Sequence, residues 1–229
     1  MGRGKIYLQA QKLIDKAKTY SIEEAVELLK SMPRRKFDEG VVLSLRLGVD
    51  TKDSTQQVRG IIALPHGTGK KVRVAVIAKG AKFDEAKEAG ADFIGGQDLI
   101  DKINQGWFDF EALVATPDMM REVGKLGKVL GPRGLMPNPK SGTVTFEVAK
   151  AIKEIKSGRV EFRMDKTGNL HLVVGKISFK KEDLVSNIRE SLSTIIAAKP
   201  QTAKGQFIRS VTVATSMSPG VRLEVAKIA

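Results

Sequence analysis

The segment Gly67-Thr68-Gly69-Lys70 is where residue types and spacing first point to chemistry, because a glycine-rich turn before a lysine can bind phosphate. A phosphate-binding loop of the nucleoside-triphosphatase type needs another glycine five residues before the second one, but Leu64 stands there. Lys71 replaces the Ser or Thr that would hold magnesium, and the following sequence predicts a strand instead of a helix. We therefore interpret the segment as a turn.

The remaining ionisable residues lack the groupings that catalysis or metal binding needs. The chain has no cysteine, and neither of its two histidines, His66 and His171, has a second His or Cys at metal-ligand spacing. Two close pairs of acids are present, namely Asp84 with Glu85 and Asp98 with Asp101. Both pairs are interpreted as solvated helix faces, so we expect no enzyme activity, no cofactor and no metal.

Positive charge is the most pronounced property of the composition. Lys and Arg number 39 against 26 Asp and Glu, which gives a net charge of +13 and a pI of about 9.9. Such a surplus attracts polyanions and accelerates their encounter, so nucleic acid is the expected partner. A mildly basic protein without such a partner is the alternative. No segment approaches the ~20 apolar residues of a membrane span, and the N-terminus has no apolar signal core, so we expect a cytoplasmic protein without membrane contact.

Three segments combine cations with small polar groups and an apolar side chain. This mixture suits RNA, which is bound through phosphates, 2′-hydroxyls and packing against sugars or bases. The segments are Arg34-Arg35-Lys36-Phe37-Asp38-Glu39, Arg163 with Asp165-Lys166-Thr167-Gly168 and His171, and Thr215-Ser216-Met217-Ser218-Pro219-Gly220. The alternatives are a core phenylalanine at the start of a strand, an ordinary hairpin turn and a plain turn, respectively.

Hydrophobic periodicity predicts two kinds of domain. Towards both ends of the chain it predicts helices at 22–32 and 182–198 and strands at 41–47, 58–64, 160–164, 170–174 and 208–214, with a hairpin turn at 165–169. In the middle it predicts strands at 72–78, 92–94 and 112–115, alternating with helices at 83–89, 97–104, after Pro117 and at 146–156. The Pro- and Gly-rich run 131–140 is predicted to be a long exposed loop. These patterns predict an α+β domain with an antiparallel sheet and a Rossmann-like α/β domain with a parallel sheet.

The charge is divided unevenly along the chain. Residues 67–158 carry 15 Lys and Arg against 12 acids, whereas residues 1–66 carry 12 against 8 and residues 159–229 carry 12 against 6. We therefore expect residues 1–66 and 159–229 to form one basic, discontinuous RNA-binding domain, into which residues 67–158 are inserted as a second domain.

Several sequence runs occur in a recognisable order and spacing: KFDE, LPHGTGK, ADFIGG, ATPDMM, LGPRGLMPNPKSGTV, IKSGRVEFRMDKTGNLH and NIRESL followed by SVTVATSMSP. Together they resemble the bacterial L-one family of large-subunit ribosomal proteins over essentially the whole chain. That resemblance implies a discontinuous first domain and an inserted second domain joined by two hinge strands. It also implies binding to large-subunit ribosomal RNA at the mobile stalk, help in releasing exit-site tRNA, and repression of the protein's own operon through its mRNA. Outside the ribosome we expect a monomer.

The resemblance and the three segments together give the expected site. The expected RNA-binding residues are Lys36, Phe37, Glu39, Arg163, Asp165, Lys166, Thr167, His171, Thr215, Ser216, Met217 and Ser218, with Arg133 and Lys140 as weaker contacts in the second domain. Two positions depart from the family pattern. Ser216 replaces a Thr and keeps the hydroxyl, whereas Ser218 replaces a Gly and adds a side chain where the backbone is expected to approach RNA closely.

Two other functional classes are weighed against this expectation. A nucleotide-dependent enzyme would use the middle domain, but Lys79-Gly80-Ala81-Lys82 after its first strand lacks the G-x-G-x-x-G fingerprint. A DNA-binding regulator would need a helix-turn-helix or a basic helical stretch, and the sequence favours neither.

Overall fold

The computed structural model describes residues 4–15, 17–33, 35–51, 53–80, 82–203 and 205–224. The chain divides into two compact units: unit 1 is Met1–Gly69 with Val160–Ala229, and unit 2 is Lys70–Arg159. Within the described ranges every helix is too short or too polar to cross a membrane.

Unit 1 is built on a four-stranded antiparallel sheet with strand order β7-β1-β8-β9. Its strands are β1 (Gly40–Leu47), β7 (Asn169–Lys176), β8 (Ile208–Thr215) and β9 (Val221–Leu223). A separate two-stranded ladder joins β2 (Arg59–Ala63) to β6 (Arg159–Arg163). Side chains alternate along β1, so that Val41, Leu43 and Leu45 are buried while the residues between them are not. One sheet face is therefore apolar and the other is open.

The helices of unit 1 cover the apolar face of that sheet. They are α1 (Lys5–Lys12), α2 (Ile22–Ser31) and α8 (Lys181–Ala197). A capping box begins α2, because the Ser21 hydroxyl accepts from the Glu24 N–H at 3.3 Å and the Glu24 carboxylate accepts from the Ser21 N–H at 3.1 Å. The apolar stripe of α8, including Leu184 and Ile188, is buried in the same core as the inner residues of β1. A short 3-10 turn, Ser54–Gln56, precedes β2.

Unit 2 is a three-stranded parallel sheet in the order β4-β3-β5 with helices on both faces. The strands are β3 (Val74–Ile77), β4 (Phe93–Gly95) and β5 (Ala112–Ala115). The helices are α3 (Lys82–Glu88), α4 (Gln97–Asn104), α5 (Met120–Val123), α6 (Gly127–Leu130) and α7 (Val148–Ser157), with 3-10 turns at Pro117–Met119, Gly124–Leu126 and Pro139–Ser141. All four residues of β3 are buried, as expected for a strand that is covered on both faces.

The mixed α+β and α/β fold class predicted from the sequence is confirmed, since one antiparallel and one parallel sheet are present. Two local predictions are wrong. The turn at 165–169 forms, but the strands beside it do not pair as a hairpin, because β6 pairs with β2 and β7 pairs with β1. The run 131–140 is not wholly exposed, because Leu135 and Met136 pack against the core of unit 2.

Candidate nucleic-acid interface

Two large apolar side chains stand out from the surface at the end of the sheet where β1 begins and β8 ends. Phe37 is 50% exposed and Met217 is 52% exposed. Phe37 lies in the loop between α2 and β1, and Met217 lies in the turn between β8 and β9. Lys36, beside Phe37, is also exposed. Arg34, which the sequence placed in the same segment, lies outside the described residues.

A buried carboxylate joins the two segments that carry these side chains. Glu39 is only 5% exposed, and one of its oxygens accepts from both the Thr215 hydroxyl and the Met217 N–H, the latter at 3.1 Å. Its other oxygen accepts from the Arg35 N–H at 3.3 Å. Hydrogen bonds to a charged acceptor are stronger than neutral ones, so Glu39 holds the two segments in one arrangement. The carboxylate therefore faces the protein interior.

Asp38 ties the other side of the Phe37 loop to the body of unit 1. Its carboxylate accepts from the Ser178 hydroxyl at 2.9 Å and from the Ser178 N–H at 3.2 Å. The Lys176 ammonium donates to the Asp38 carbonyl at 3.3 Å. With inward anchors at both Asp38 and Glu39, the loop projects Phe37 outward. Ser178 could not be predicted in this role, because its contact with Asp38 depends on the tertiary approach of two segments that are 140 residues apart.

The turn that carries Met217 is closed by the two serines that flank it. The Ser218 hydroxyl accepts from the Thr215 N–H at 2.9 Å, and the Ser216 hydroxyl accepts from the Gly40 N–H at 3.2 Å. Within the described chain no residue other than glycine has a positive φ, so Ser218 adopts a backbone conformation open to any residue. Its side chain is used to fix the turn, which explains how serine is accommodated at this position.

The turn at Asp165–Asn169 is organised around one carboxylate. One Asp165 oxygen accepts from the Asn169 N–H at 2.7 Å and from the Thr167 N–H and hydroxyl, both at 2.8 Å. The hydrogen bonds from the Asn169 N–H and the Thr167 hydroxyl lower the pKa of Asp165 to about 2. Gly168, with φ at 82°, supplies the left-handed residue that closes the turn. Lys166 projects from the tip and is exposed.

His171 and Arg163 are separated by the division of the strands between two sheets. His171 is exposed on β7, and its Nδ1 lies 3.0 Å from the Ser44 hydroxyl on β1. Arg163 is exposed at the end of β6, which pairs with β2. The structure thus places His171 on the open sheet face and Arg163 on the neighbouring ladder.

The Phe37 and Met217 segments and the turn at Asp165–Asn169 lie at opposite ends of β1. Gly40, at the start of β1, contacts Ser216, whereas the Leu47 N–H at the end of β1 donates to the Gly168 carbonyl at 2.8 Å. Seven residue steps separate these ends, or roughly 24 Å at the rise of an extended strand. The Phe37 and Met217 segments therefore form one cluster, and the turn at Asp165–Asn169 lies apart from it.

The helix α1, which the sequence did not predict, contributes to the Phe37 and Met217 end. Ile6 and Ala10 line a small recess together with Leu29, Glu39 and Met217. Only eight residues long and without a side-chain cap, α1 gives a weak sequence signal. The four-residue spacing of Ile6 and Ala10, which puts both on one helix face, was the one available indication.

In unit 2, the expected contact Arg133 is exposed and stacks on an aromatic ring. Its guanidinium carbon lies 3.8 Å from the centroid of the Phe108 ring, which fixes the plane of the charged group. Lys140 lies in the 3-10 turn Pro139–Ser141, and its backbone alone is described. Among the described residues, no group of three His, Asp or Glu side chains is arranged to hold a metal ion.

A sequence model of the ribosomal protein L1p/L10e family matches residues 28–219, which include both clusters of candidate residues in unit 1 and the whole of unit 2. The match covers most of the chain and confirms the resemblance found in its sequence runs. The family consists of structural proteins of the ribosome. The chain therefore belongs to the ribosomal protein L1p/L10e family, whose members are large-subunit ribosomal proteins that bind ribosomal RNA.

Proposed function

We propose that unit 1 binds the mobile stalk of large-subunit ribosomal RNA with the surface that carries Phe37 and Met217. The proposal rests on two half-exposed apolar side chains, Phe37 and Met217. The buried Glu39 joins the segments that carry them, because it accepts hydrogen bonds from backbone N–H groups of both. A rigid arrangement of this kind suits a folded RNA, because little conformational entropy is lost when the complex forms.

The charge distribution supports unit 1 as the main RNA-binding unit. Residues 1–69 and 160–229 carry 23 Lys and Arg against 14 acids, whereas residues 70–159 carry 16 against 12. Unit 1 thus has the larger excess of positive charge, which favours the main contact with phosphate there. In this proposal Arg133 and Lys140 of unit 2 add weaker contacts.

The finer roles that the family resemblance implies belong to the same proposal. The protein assists release of deacylated tRNA from the exit site, and it represses its own operon by binding an mRNA segment that folds like the stalk. Because both RNAs then use one surface, they must compete. A labelled stalk fragment should be displaced by an operon mRNA fragment in a gel-shift titration, and a stable complex that contains both RNAs would contradict the shared surface.

Filter binding to a stalk RNA fragment tests the main proposal. Phe37→Ala should weaken binding about 10-fold, which is the size of one aromatic stacking contact with a base. Met217→Asp should weaken it more, because it places a negative charge against RNA. Phe83, which is 40% exposed on α3 of unit 2, provides the matched controls Phe83→Ala and Phe83→Asp. Equal affinities for all four variants and the unaltered protein would overturn the proposal.

A further inference from the structure

The short helix α1 lies against both segments that carry the exposed apolar side chains. Ile6 and Ala10 are four residues apart, so they share one face of α1, and this face forms one wall of the recess beneath Met217. The recess has a volume of about 10 Å³, which is close to the minimum that holds one water molecule. Ala10 is only 3% exposed. The helix is therefore closely fitted against its neighbours.

The carboxylate that joins the two segments lies in the same recess. Glu39 is one of the residues that line it, as are two of the residues that bond this carboxylate, Arg35 and Met217. A hydrogen bond to a charged group is stronger where water is excluded, because the local dielectric constant is lower. Any element that closes the recess therefore strengthens the bonds through which Glu39 holds the segments together.

The docking of α1 in the recess is what makes it helical. Eight residues are too few for a helix that is stable in water by itself. Gly4 at the N-cap offers no side-chain acceptor, and the first turn carries Lys5 and no acid, which is unfavourable at the positive end of the helix dipole. The burial of Ile6 and Ala10 must compensate for these deficits. Undocking and unfolding of α1 are thus expected to occur together.

The chain that follows α1 is attached to the sheet at a separate point. Tyr20 forms a parallel bridge with Leu223 of β9. Its N–H donates to the Arg222 carbonyl at 2.9 Å, and its carbonyl accepts from the Glu224 N–H at 3.0 Å. The Tyr20 hydroxyl accepts from the Asp15 N–H at 3.0 Å. Because this attachment does not involve the recess, a substitution on the docked face of α1 is expected to spare the core of unit 1.

We propose that α1 is a positioning element for the RNA-binding cluster. Ile6 and Ala10 close the recess and keep water from the Glu39 carboxylate. Glu39 then holds Phe37 and Met217 in the arrangement that receives RNA. The two residues of α1 act through Glu39 and do not contact the RNA. The inference rests on the proposed function, but the coupling of α1 to Glu39 can be measured in the protein without RNA.

Amide hydrogen exchange in the free protein tests this coupling. Ala10→Glu places a charge against the recess and should undock α1. The Arg35 and Met217 amides should then exchange about 10-fold faster or more, which is the size of one charge-assisted hydrogen bond. Leu8→Glu is the matched control, because it adds the same charge to the same helix at a position that is 46% exposed. It should leave both exchange rates unchanged.

A second pair of variants avoids adding a charge near Glu39. Ile6→Ser removes an apolar side chain from the recess, and Leu8→Ser makes the same kind of replacement on the exposed side of α1. Ile6→Ser should raise the same two exchange rates, and Leu8→Ser should not. The amides of β1 should exchange as slowly in all four variants as in the unaltered protein, which shows that unit 1 remains folded.

Filter binding to the stalk RNA fragment connects the coupling to function. Ala10→Glu should bind about 10-fold more weakly than Leu8→Glu, which itself accounts for repulsion between the added charge and RNA. In a Glu39→Gln background the same two variants should differ by less than about 2-fold, because the carboxylate through which α1 acts has been removed. An undiminished difference in that background would show that α1 acts independently of Glu39, and the proposal would be wrong.

The remaining outcomes separate this inference from the proposed function. Equal exchange rates at Arg35 and Met217 in Ala10→Glu and Leu8→Glu would overturn the positioning role. Equal loss of RNA affinity in these two variants would overturn it as well, because the exposed side of α1 would then contact RNA directly. If the exchange rates rise as expected but Met217→Asp binds RNA normally, the coupling is present and the proposed function is wrong.

Discussion

At the level of single residues, Glu39 connects the loop of Phe37 to the turn of Met217. Three donors converge on its carboxylate: the Arg35 N–H, the Thr215 hydroxyl and the Met217 N–H. The sequence placed Glu39 among the RNA-binding residues, and its burial gives it a different role within that set, which is to position its neighbours.

Glu39→Gln tests this positioning role. The variant keeps the size of the side chain but removes the charge and turns an amide NH2 towards one of the donors. We expect unit 1 to lose about 1–3 kcal/mol in the free energy of unfolding, and RNA affinity to fall as well. Glu161→Gln, at an exposed position on β6, should change neither quantity in urea denaturation and filter binding. An unaltered RNA affinity for Glu39→Gln would show that the two segments hold their arrangement without this carboxylate.

Asp165 gives a prediction about pH. Its pKa is lowered from 3.8 to about 2 by the hydrogen bonds from the Asn169 N–H and the Thr167 hydroxyl. Since the folded value lies below the ordinary one, the carboxylate stabilises the turn fully above about pH 4 and progressively less as the pH falls through about 2. In an NMR titration the amide resonances of Thr167 and Asn169 should therefore shift with a midpoint near 2. A midpoint near 3.8 would contradict the bonded turn, and Asp165→Asn should abolish the transition.

At the level of elements, α8 fixes the chain where it leaves unit 1. Asn187 is fully buried, accepts from the His66 N–H at 3.1 Å, and donates to the carbonyls of Gly67 at 3.0 Å and Val174 at 2.8 Å. The helix thereby holds the segment after β2 against β7. The side chain of Asn187 forms hydrogen bonds with three backbone groups that would otherwise be buried without partners.

Asn187→Leu should destabilise unit 1 by about 3 kcal/mol or more, because it leaves those backbone groups unpaired. The only tryptophan, Trp107, lies in unit 2, so its fluorescence reports on that unit alone. In urea denaturation the variant should shift the transition of unit 1, followed by circular dichroism, and leave the Trp107 transition in place. Asn104→Leu, at an exposed position on α4, is the control and should shift neither by more than about 0.5 kcal/mol.

The elements differ in how well the sequence predicts them. Long segments with clear periodicity, such as α8 and β1, were predicted within one residue at each end, because their apolar patterns match their burial. The eight-residue α1 and three-residue β9 were missed, since such short elements are stabilised mainly by tertiary contacts. Which strand pairs with β6 is likewise decided by the whole fold, so a hairpin was the natural but wrong expectation.

The candidate site was also predictable only in part, because the sequence shows local composition but not tertiary contacts. Charged and aromatic residues in one segment pointed to Lys36 and Phe37, and a run of small residues around a methionine pointed to Met217. The sequence does not indicate that these segments meet, because their contact joins parts of the chain about 180 residues apart through Glu39.

At the level of the whole molecule, the division into units predicts how RNA binding survives truncation. A variant in which a short glycine-rich linker replaces residues 70–159 should keep stalk RNA affinity to within about 10-fold, because unit 1 carries the main contacts in our proposal. Deletion of residues 67–158 should give a less stable protein, because Asn187 loses its partner at Gly67. A folded variant without residues 70–159 that no longer binds RNA would show that unit 2 supplies the decisive contacts.

The central claim is that RNA is seated on unit 1 against Phe37 and Met217. Hydroxyl-radical labelling of the protein, read by mass spectrometry with and without saturating stalk RNA, tests it directly. We predict that the RNA protects Phe37 and Met217 from oxidation and leaves Phe83 as reactive as before. Unchanged labelling of Phe37 and Met217, with protection confined to residues 70–159, would contradict the account.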